Sequence, residues 1–250
     1  DWGEFHLLRF AAPDMAAAAK PGQFVMLRTN PGTDPLLRRP LGIHDAAKDW
    51  LEVFFRTAGR GTALLAAKAK GETLDVIGPL GKGYRLDGKW KDKDAWLVGG
   101  GRGIAPLFFL GRKLKAKGAR VKVFYGGKTA SEVPIGEKFE AAGFALSVST
   151  DDGTLGARGF VTALLERELA AGIPDRLFAC GPDPMMEKTA ALAAARGIPA
   201  QLSLEAIMGC GFGACWGCVH RIRRGDNGKW RKICEDGPVF AAEEIVWGEG

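Results

Sequence analysis

The sequence predicts an α+β multidomain protein: an antiparallel β-barrel, then a parallel α/β domain, then a small cysteine-bearing C-terminal segment. Three observations carry this. Residues 1–90 hold short apolar runs separated by turn residues, residues 94–200 alternate strand-like with helix-like stretches, and residues 201–250 contain four of the five cysteines. A chain of 250 residues, 46% hydrophobic and 26% charged, has room for two compact cores.

In the first region the strand candidates are residues 5–10, 23–28 after Pro21-Gly22, 50–56 after a polar turn, and 73–77 leading into Gly78-Pro79-Leu80-Gly81. Strands this short and evenly spaced predict a small antiparallel barrel, interrupted by one helical stretch at 61–67. After the charged linker 89–94 the pattern changes. The apolar run 95–98 feeds Gly99-Gly100-Gly101-Arg102-Gly103, and a helix is expected over 107–114. Strands follow at 121–125, 145–149, 176–180 and 201–204, with a helix at 161–169. Strands alternating with helices predict a parallel sheet with crossover connections.

The C-terminal segment is the most specific. Cys210, Cys215 and Cys218 form C-x4-C-x2-C, and Cys234 follows after a gap of hairpin length. This is the thiolate spacing of a plant-type 2Fe-2S cluster. Glycines at 209, 211, 213 and 217 let the backbone wrap tightly and aim N–H groups at sulfur. Zinc is the competing reading, but it favours paired CxxC knuckles and only Cys215 and Cys218 form one. Disulfides fit less well still, because no signal-peptide pattern precedes the first strand and the cysteine density is not that of a secreted scaffold.

Composition narrows the function classes. The net charge of +6 suits anionic cofactors or an acidic partner, and no recognition helix or stacking platform accompanies it, so nucleic acid binding is not expected. No apolar run is long enough to span a bilayer, so no membrane role is expected. Free thiols and a cluster imply a reducing compartment, hence a cytoplasmic protein. Residues 5–10 read as a strand lying very close to a start that is not Met, so a short preceding segment is expected.

Two strand-to-helix junctions are nucleotide-site candidates. At Gly99, Gly100, Gly101 and Gly103 bare backbone can approach a pyrophosphate at a helix N-terminus, although the spacing departs from GxGxxG and glycines also serve ordinary turns. At Cys180-Gly181-Pro182-Asp183-Pro184, the last two read as helix-start residues and Gly181 permits close approach. Cys180 alone reads equally well as a small buried residue at a strand end.

Taken in order, Arg38-Arg39-Pro40-Leu41-Gly42-Ile43, Gly59-Arg60-Gly61-Thr62, Gly78-Pro79-Leu80-Gly81, Val98-Gly99-Gly100-Gly101, Ala179-Cys180-Gly181-Pro182 and the cysteine run resemble the ferredoxin-reductase-like flavoproteins. Within them the chain is most similar to the dihydroorotate dehydrogenase B electron-transfer branch, over essentially its whole length. The resemblance implies an FAD-binding barrel at 1–90, an NAD(H)-binding domain at 94–200 and a 2Fe-2S segment at 201–250. Electrons would pass from NADH through FAD and the cluster to an FMN-containing dihydroorotate dehydrogenase catalytic subunit, in a heterotetramer. A flavin is needed because nicotinamide gives up a hydride whereas the cluster takes single electrons.

Carried over residue by residue, Arg39, Pro40, Leu41 and Gly42 occupy the family's R-P-x-S flavin motif. Arg56, Thr57, Ala58, Gly61 and Thr62 would hold flavin and pyrophosphate, with Thr62 capping a helix from residue 63. Cys180 would lie at the flavin–nicotinamide contact, and Cys210, Cys215, Cys218 and Cys234 would be the ligands. A diaphorase subunit of a hydrogenase or another ferredoxin-linked reductase is the alternative built from the same modules. In the small subunit of bifurcating transhydrogenases an Asp stands at the first cluster position, so Cys210 speaks against that branch. Two residues depart from the pattern. Gly42 stands where the family usually has a Ser whose hydroxyl can bond the flavin, so either a backbone N–H or a neighbour such as His44 takes that task or the flavin's reactivity is altered. Arg102 replaces the small or apolar residue usual inside the glycine turn, where it either adds a phosphate contact or, as the plainer reading, lies solvated. Between Cys218 and Cys234, alternation around Asp226-Asn227-Gly228 predicts a basic β-hairpin that either lies solvated or meets a partner.

Overall fold

The computed structural model of the chain describes residues 2–223 and 228–248. The first region contains β1 (Phe5–Ala11), α1 (Pro13–Ala18), β2 (Phe24–Leu27), β3 (Arg39–Ala47), β4 (Trp50–Arg56), α2 (Arg60–Ala66) and β5 (Val76–Leu80). Its five strands form an antiparallel sheet in the order β1-β4-β3-β2-β5. Strand β3 was not legible as a strand, because Pro40 and Gly42 dilute its β signal. Its pairing with β2 from Leu27↔Arg39 to Phe24↔Gly42 builds it regardless. Val25, Leu27, Ile43, Leu51, Val53 and Leu65 are almost fully buried in this region's core, and Phe109 from the second region completes it. Each such side chain contributes about 1.5–3 kcal/mol of burial.

The second region contains β6 (Asp94–Gly100), a 3-10 turn (Gly101–Ile104), α3 (Ala105–Ala116), β7 (Arg120–Gly127), α4 (Gly136–Ala141), β8 (Ala145–Thr150), β9 (Ala157–Arg158), α5 (Val161–Ala171), β10 (Arg176–Cys180), α6 (Asp183–Ala194) and β11 (Ala200–Ser203). The chain closes with β12 (Val219–Arg223), β13 (Gly228–Lys232), α7 (Ile233–Asp236) and β14 (Val239–Ala241). The large sheet runs β14-β11-β10-β6-β7-β8-β9 and is parallel except where β14 returns antiparallel to β11. From β6 the chain winds outward through β7, β8 and β9, then crosses back to β10 on the other side of β6. That reversal leaves a crevice at the carboxyl ends of β6 and β10. The 200/201 division falls inside β11, and β14, from the last segment, is an edge of the same sheet. The charged linker is anchored by buried Trp90, whose ring packs on Phe178.

The β-region meets α3 and α4 along a seam of buried polar groups. His44, Asp45 and Glu52 are 0%, 4% and 3% exposed. The His44 Nδ1–H donates to the Ala105 carbonyl at 2.7 Å, and the ring stacks on Phe108. Arg112 donates to Asp45 at 2.5 Å, and Glu52 receives Lys138 and, at 2.9 Å, Arg9. Burial, and then the Lys138 charge, lower the His44 pKa to about 3. Burial alone would raise the Glu52 carboxyl; Lys138, His44 and Arg9 bring it below the ordinary value.

Candidate functional site

A cavity of about 770 Å³ lies between the two regions, at the crevice where the chain reverses. Its volume is that of a site for a large organic ligand. The first half of β3 forms one wall with Arg39, Pro40, Leu41 and Gly42, joined by Arg56 from β4 and Thr62 from α2. Opposite stand Arg102 in the 3-10 turn, Ala105 and Pro106 at the start of α3, Cys180 at the end of β10, and the stretch from Ser203, the last residue of β11, to Met208.

The arginines differ. Arg38 is tied to the Asp75 carboxylate at 2.8 Å, and Arg56 forms a two-pronged pair with Glu4 at 2.7 and 3.0 Å, with Glu132 at 3.5 Å. Among the described residues no carboxylate pairs with Arg39, which bonds only the Leu37 carbonyl at 2.5 Å. Its guanidinium lies directly over Gly61, where any Cβ would collide with it. Arg39 therefore presents uncompensated positive charge to the cavity beside the start of α2, an environment that fits a phosphate.

Thr62 does not cap a helix that begins after it. The helix starts at Arg60 and takes the Gly59 carbonyl for its first bond, from the Ala63 N–H at 3.0 Å. Thr62 thus lies within the first turn, where its hydroxyl donates to Gly59 and accepts from the Ala58 N–H. Thr57 and Ala58 are not among the residues lining the cavity, and the Thr57 hydroxyl bonds His6 at 3.0 Å. His44 is also no substitute for a serine at Gly42, since it is buried in the seam. A Cβ at Gly42 would meet only Pro106, at 3.8 Å, so a serine would fit there.

The glycine turn is mostly packing. A Cβ on Gly99 would strike Ile104, on Gly100 Met185 and Pro182, on Gly181 Met185, and on Gly103 the Cys180 backbone. These glycines, with Pro182 at the N-cap of α6, close the β6 and β10 junctions upon each other. Gly101 alone of the turn has positive φ (+52°) and open space where its side chain would be. Cys180 is 3% exposed, and burial, followed by Glu205, raises its thiol far above the ordinary range. It is a neutral thiol touching the cavity, supported by the Ser203 hydroxyl, which also reaches buried Tyr84.

The four C-terminal thiols come together as two pairs. Cys210 has Cys215 as a side-chain partner, and Cys234 has Cys218. Backbone donors surround them: Gly213 N–H to Cys234 at 3.2 Å, Cys234 N–H to Cys218 at 3.4 Å, and Gly217 N–H to Cys215 at 3.5 Å. Burial opposes ionisation of Cys210, but the N–H groups of Phe212, Cys215 and Ala214 and the Cys215 thiol bring it down to about 6. Burial and the neighbouring Cys218 push Cys234 up to about 12. Four crowded thiols cannot all ionise unless a cationic centre sits among them, and two pairs ringed by N–H donors fit a two-iron cluster. Among the described residues no three His, Cys, Asp or Glu side chains gather around a single-ion position. Cys180 belongs to the cavity instead. Gly211 packs on Met26 of β2, and Met208, a cavity-wall residue, lies two positions before Cys210, so the thiol loop abuts the cavity.

The sequence reading missed Ser203, Glu205 and the wall from Ala206 to Met208. The one available signal was their place between the last parallel strand and Cys210. Arg224 and the Asp226-Asn227 turn lie outside the described residues, but β12 and β13 pair antiparallel on either side of them.

The fold and these two sites define a ferredoxin-reductase-like protein with an added iron–sulfur segment. Residues 205–246 match the iron-sulfur cluster binding domain of dihydroorotate dehydrogenase B. The chain is 44% identical over 230 residues to the dihydroorotate dehydrogenase B (NAD(+)) electron transfer subunit of Geobacillus kaustophilus, covering 91% of this chain and 87% of that protein. Among solved structures it is similar to the NADH-dependent reduced ferredoxin-NADP oxidoreductase, with TM-score 0.85 and 29% identity over 98% of this chain and 86% of that one. It shares its fold with a ferredoxin NADP+ reductase from Neisseria gonorrhoeae, solved with FAD and NADP, at TM-score 0.63 and 21% identity over 78% of this chain and 86% of that one. The chain belongs to the family of dihydroorotate dehydrogenase B electron-transfer subunits.

Proposed function

We propose that the chain carries electrons between NAD(H) and a separate catalytic subunit, FMN-containing, that interconverts dihydroorotate and orotate in pyrimidine synthesis. The observation that carries this reading is a large cavity walled by Arg39 to Gly42 on one side and Ser203 to Met208 on the other, with the first of four paired thiols only two residues beyond Met208. When bound, FAD supplies the exchange between a hydride and single electrons, and the 2Fe-2S cluster supplies one-electron transfer.

The chain's own residues bind and orient. Arg39 would hold the flavin pyrophosphate, and the cavity wall of Pro40, Leu41 and Gly42 would help to hold the rest of the flavin. Cys180 keeps its proton, with Ser203 supporting its thiol, and would offer a small apolar contact to the nicotinamide. Cys210, Cys215, Cys218 and Cys234 hold the cluster, and the N–H groups of Gly213 and Gly217 offset thiolate charge. Phe212, Trp216 and Trp230 stand 55%, 58% and 52% exposed around this loop, a surface suited to burial by the catalytic subunit. Among the described residues no helix is long and apolar enough to cross a membrane, and the reading places the assembly in the cytoplasm.

The test uses the purified holo-chain. It is expected to reduce artificial acceptors with NADH and to leave dihydroorotate untouched until the FMN subunit is added. Cys234→Ser should lose iron and Cys180→Ser should retain it. Dihydroorotate oxidation by the single chain, or equal iron loss in both variants, would overturn the assignment.

A further inference from the structure

Of the turn Gly99 to Gly103, only Gly101 and Arg102 face open space. Arg102 lines the cavity, and across it Glu205, just beyond β11, also lines the cavity; their side chains are 3.9 Å apart and 55% and 53% exposed. Glu205 has a second acidic neighbour in Asp183, the first residue of α6. A dinucleotide entering here brings its pyrophosphate charge towards two carboxylates, and Arg102 is the cation set between that charge and Glu205.

We propose that Arg102 binds the pyrophosphate of NAD(H), and that Glu205 holds the guanidinium in place until the dinucleotide displaces it. The inference rests on the NAD(H) reading above and assigns a measurable share of the affinity to one side chain of the turn. Protein atoms occupy the Cβ directions of Gly99, Gly100 and Gly103, so those positions could carry no side chain of their own towards a phosphate, and Arg102 is the turn's one long cationic side chain. The latch is weak enough to yield: a separation of 3.9 Å between half-exposed side chains is a solvent-screened pair, whereas a guanidinium can grip phosphate through two parallel bonds. Removing each partner therefore has opposite consequences. Losing Arg102 removes the grip, and neutralising Glu205 removes both the competitor and a repulsive charge.

The experiment is calorimetric titration of the flavin- and cluster-loaded chain with NAD+ and with ADP-ribose, which keeps the pyrophosphate but lacks nicotinamide. Arg102→Ala should weaken both ligands about tenfold, the loss of one charge-assisted contact. Arg102→Lys should fall between that variant and the parent, and Glu205→Gln should tighten both ligands. Flavin absorbance and iron content confirm that each variant is loaded. Parental affinity in Arg102→Ala, or equal weakening in Arg102→Ala and Glu205→Gln, overturns the proposal and leaves the NAD(H) reading standing. If the parent itself binds neither ligand, that reading falls and the proposal with it.

Discussion

The two halves of β3 carry charge in opposite ways. From Ile43 to Ala46 the strand is buried, and its His44 and Asp45, with Glu52 on the adjoining β4, each meet a partner from the second region. From Arg39 to Gly42 the same strand is half-exposed, and its one charged residue has no carboxylate partner among the described residues. One half is a closed seam that fixes how the two regions sit; the other is a cleft wall. The contrast separates structural from functional charge. A folded protein satisfies the polar groups it buries, so an arginine left uncompensated in a large cavity marks the place where a ligand supplies the missing charge.

If the seam is structural, breaking it should cost stability heavily. Glu52→Ala removes the carboxylate shared by Lys138 and Arg9 and leaves Lys138 facing buried His44. The expected loss is about 3 kcal/mol, read as a lowered denaturation midpoint of the flavin-free chain. A change below about 0.5 kcal/mol would show that the seam is ornamental.

Acid should open the same seam more gently. Folding lowers the His44 pKa from 6.5 to about 3, so the unfolded chain takes up a proton that the folded chain refuses. Stability is then full above about pH 6.5 and falls as pH drops towards 3, by roughly 2 kcal/mol between pH 7 and pH 5. The depressed Glu52 carboxyl adds loss in the same direction at still lower pH. His44→Gln, which keeps a donor for the Ala105 carbonyl, should flatten the profile between pH 7 and pH 5. An unchanged slope in that variant would locate the titration elsewhere.

The cleft was more legible in the sequence than the seam. Cysteine spacing is a local signal, and Arg39 to Gly42 form a compact motif, so both could be named before any fold was known. His44, Asp45 and Glu52 offered no such signal, because their meaning lies in Ala105, Arg112 and Lys138, which are distant in sequence. The glycine turn carries a less specific signal. Glycine permits close approach without saying what approaches, and at Gly99, Gly100, Gly103 and Gly181 protein atoms fill the space a side chain would take. Strand β3 escaped notice for a related reason: its proline and glycine suit the cavity wall, and its pairing is imposed by β2 on one side and β4 on the other.

The smallest effect on stability should come from the cleft, and it makes the sharpest test of the contrast. Arg39→Ala removes a guanidinium that satisfies no carboxylate and packs over Gly61, where truncation leaves room open to the cavity. The flavin-free variant should unfold within about 0.5 kcal/mol of the parent, as surface substitutions do. Flavin retention should nonetheless drop, with the dissociation constant for FAD rising about tenfold or more for one lost charge-assisted phosphate contact. Iron content should stay at the parental level, because the thiol loop does not touch this side chain. A variant that loses stability in step with flavin would place Arg39 with the seam residues. One that keeps flavin at parental stoichiometry through gel filtration would leave its uncompensated charge without a function.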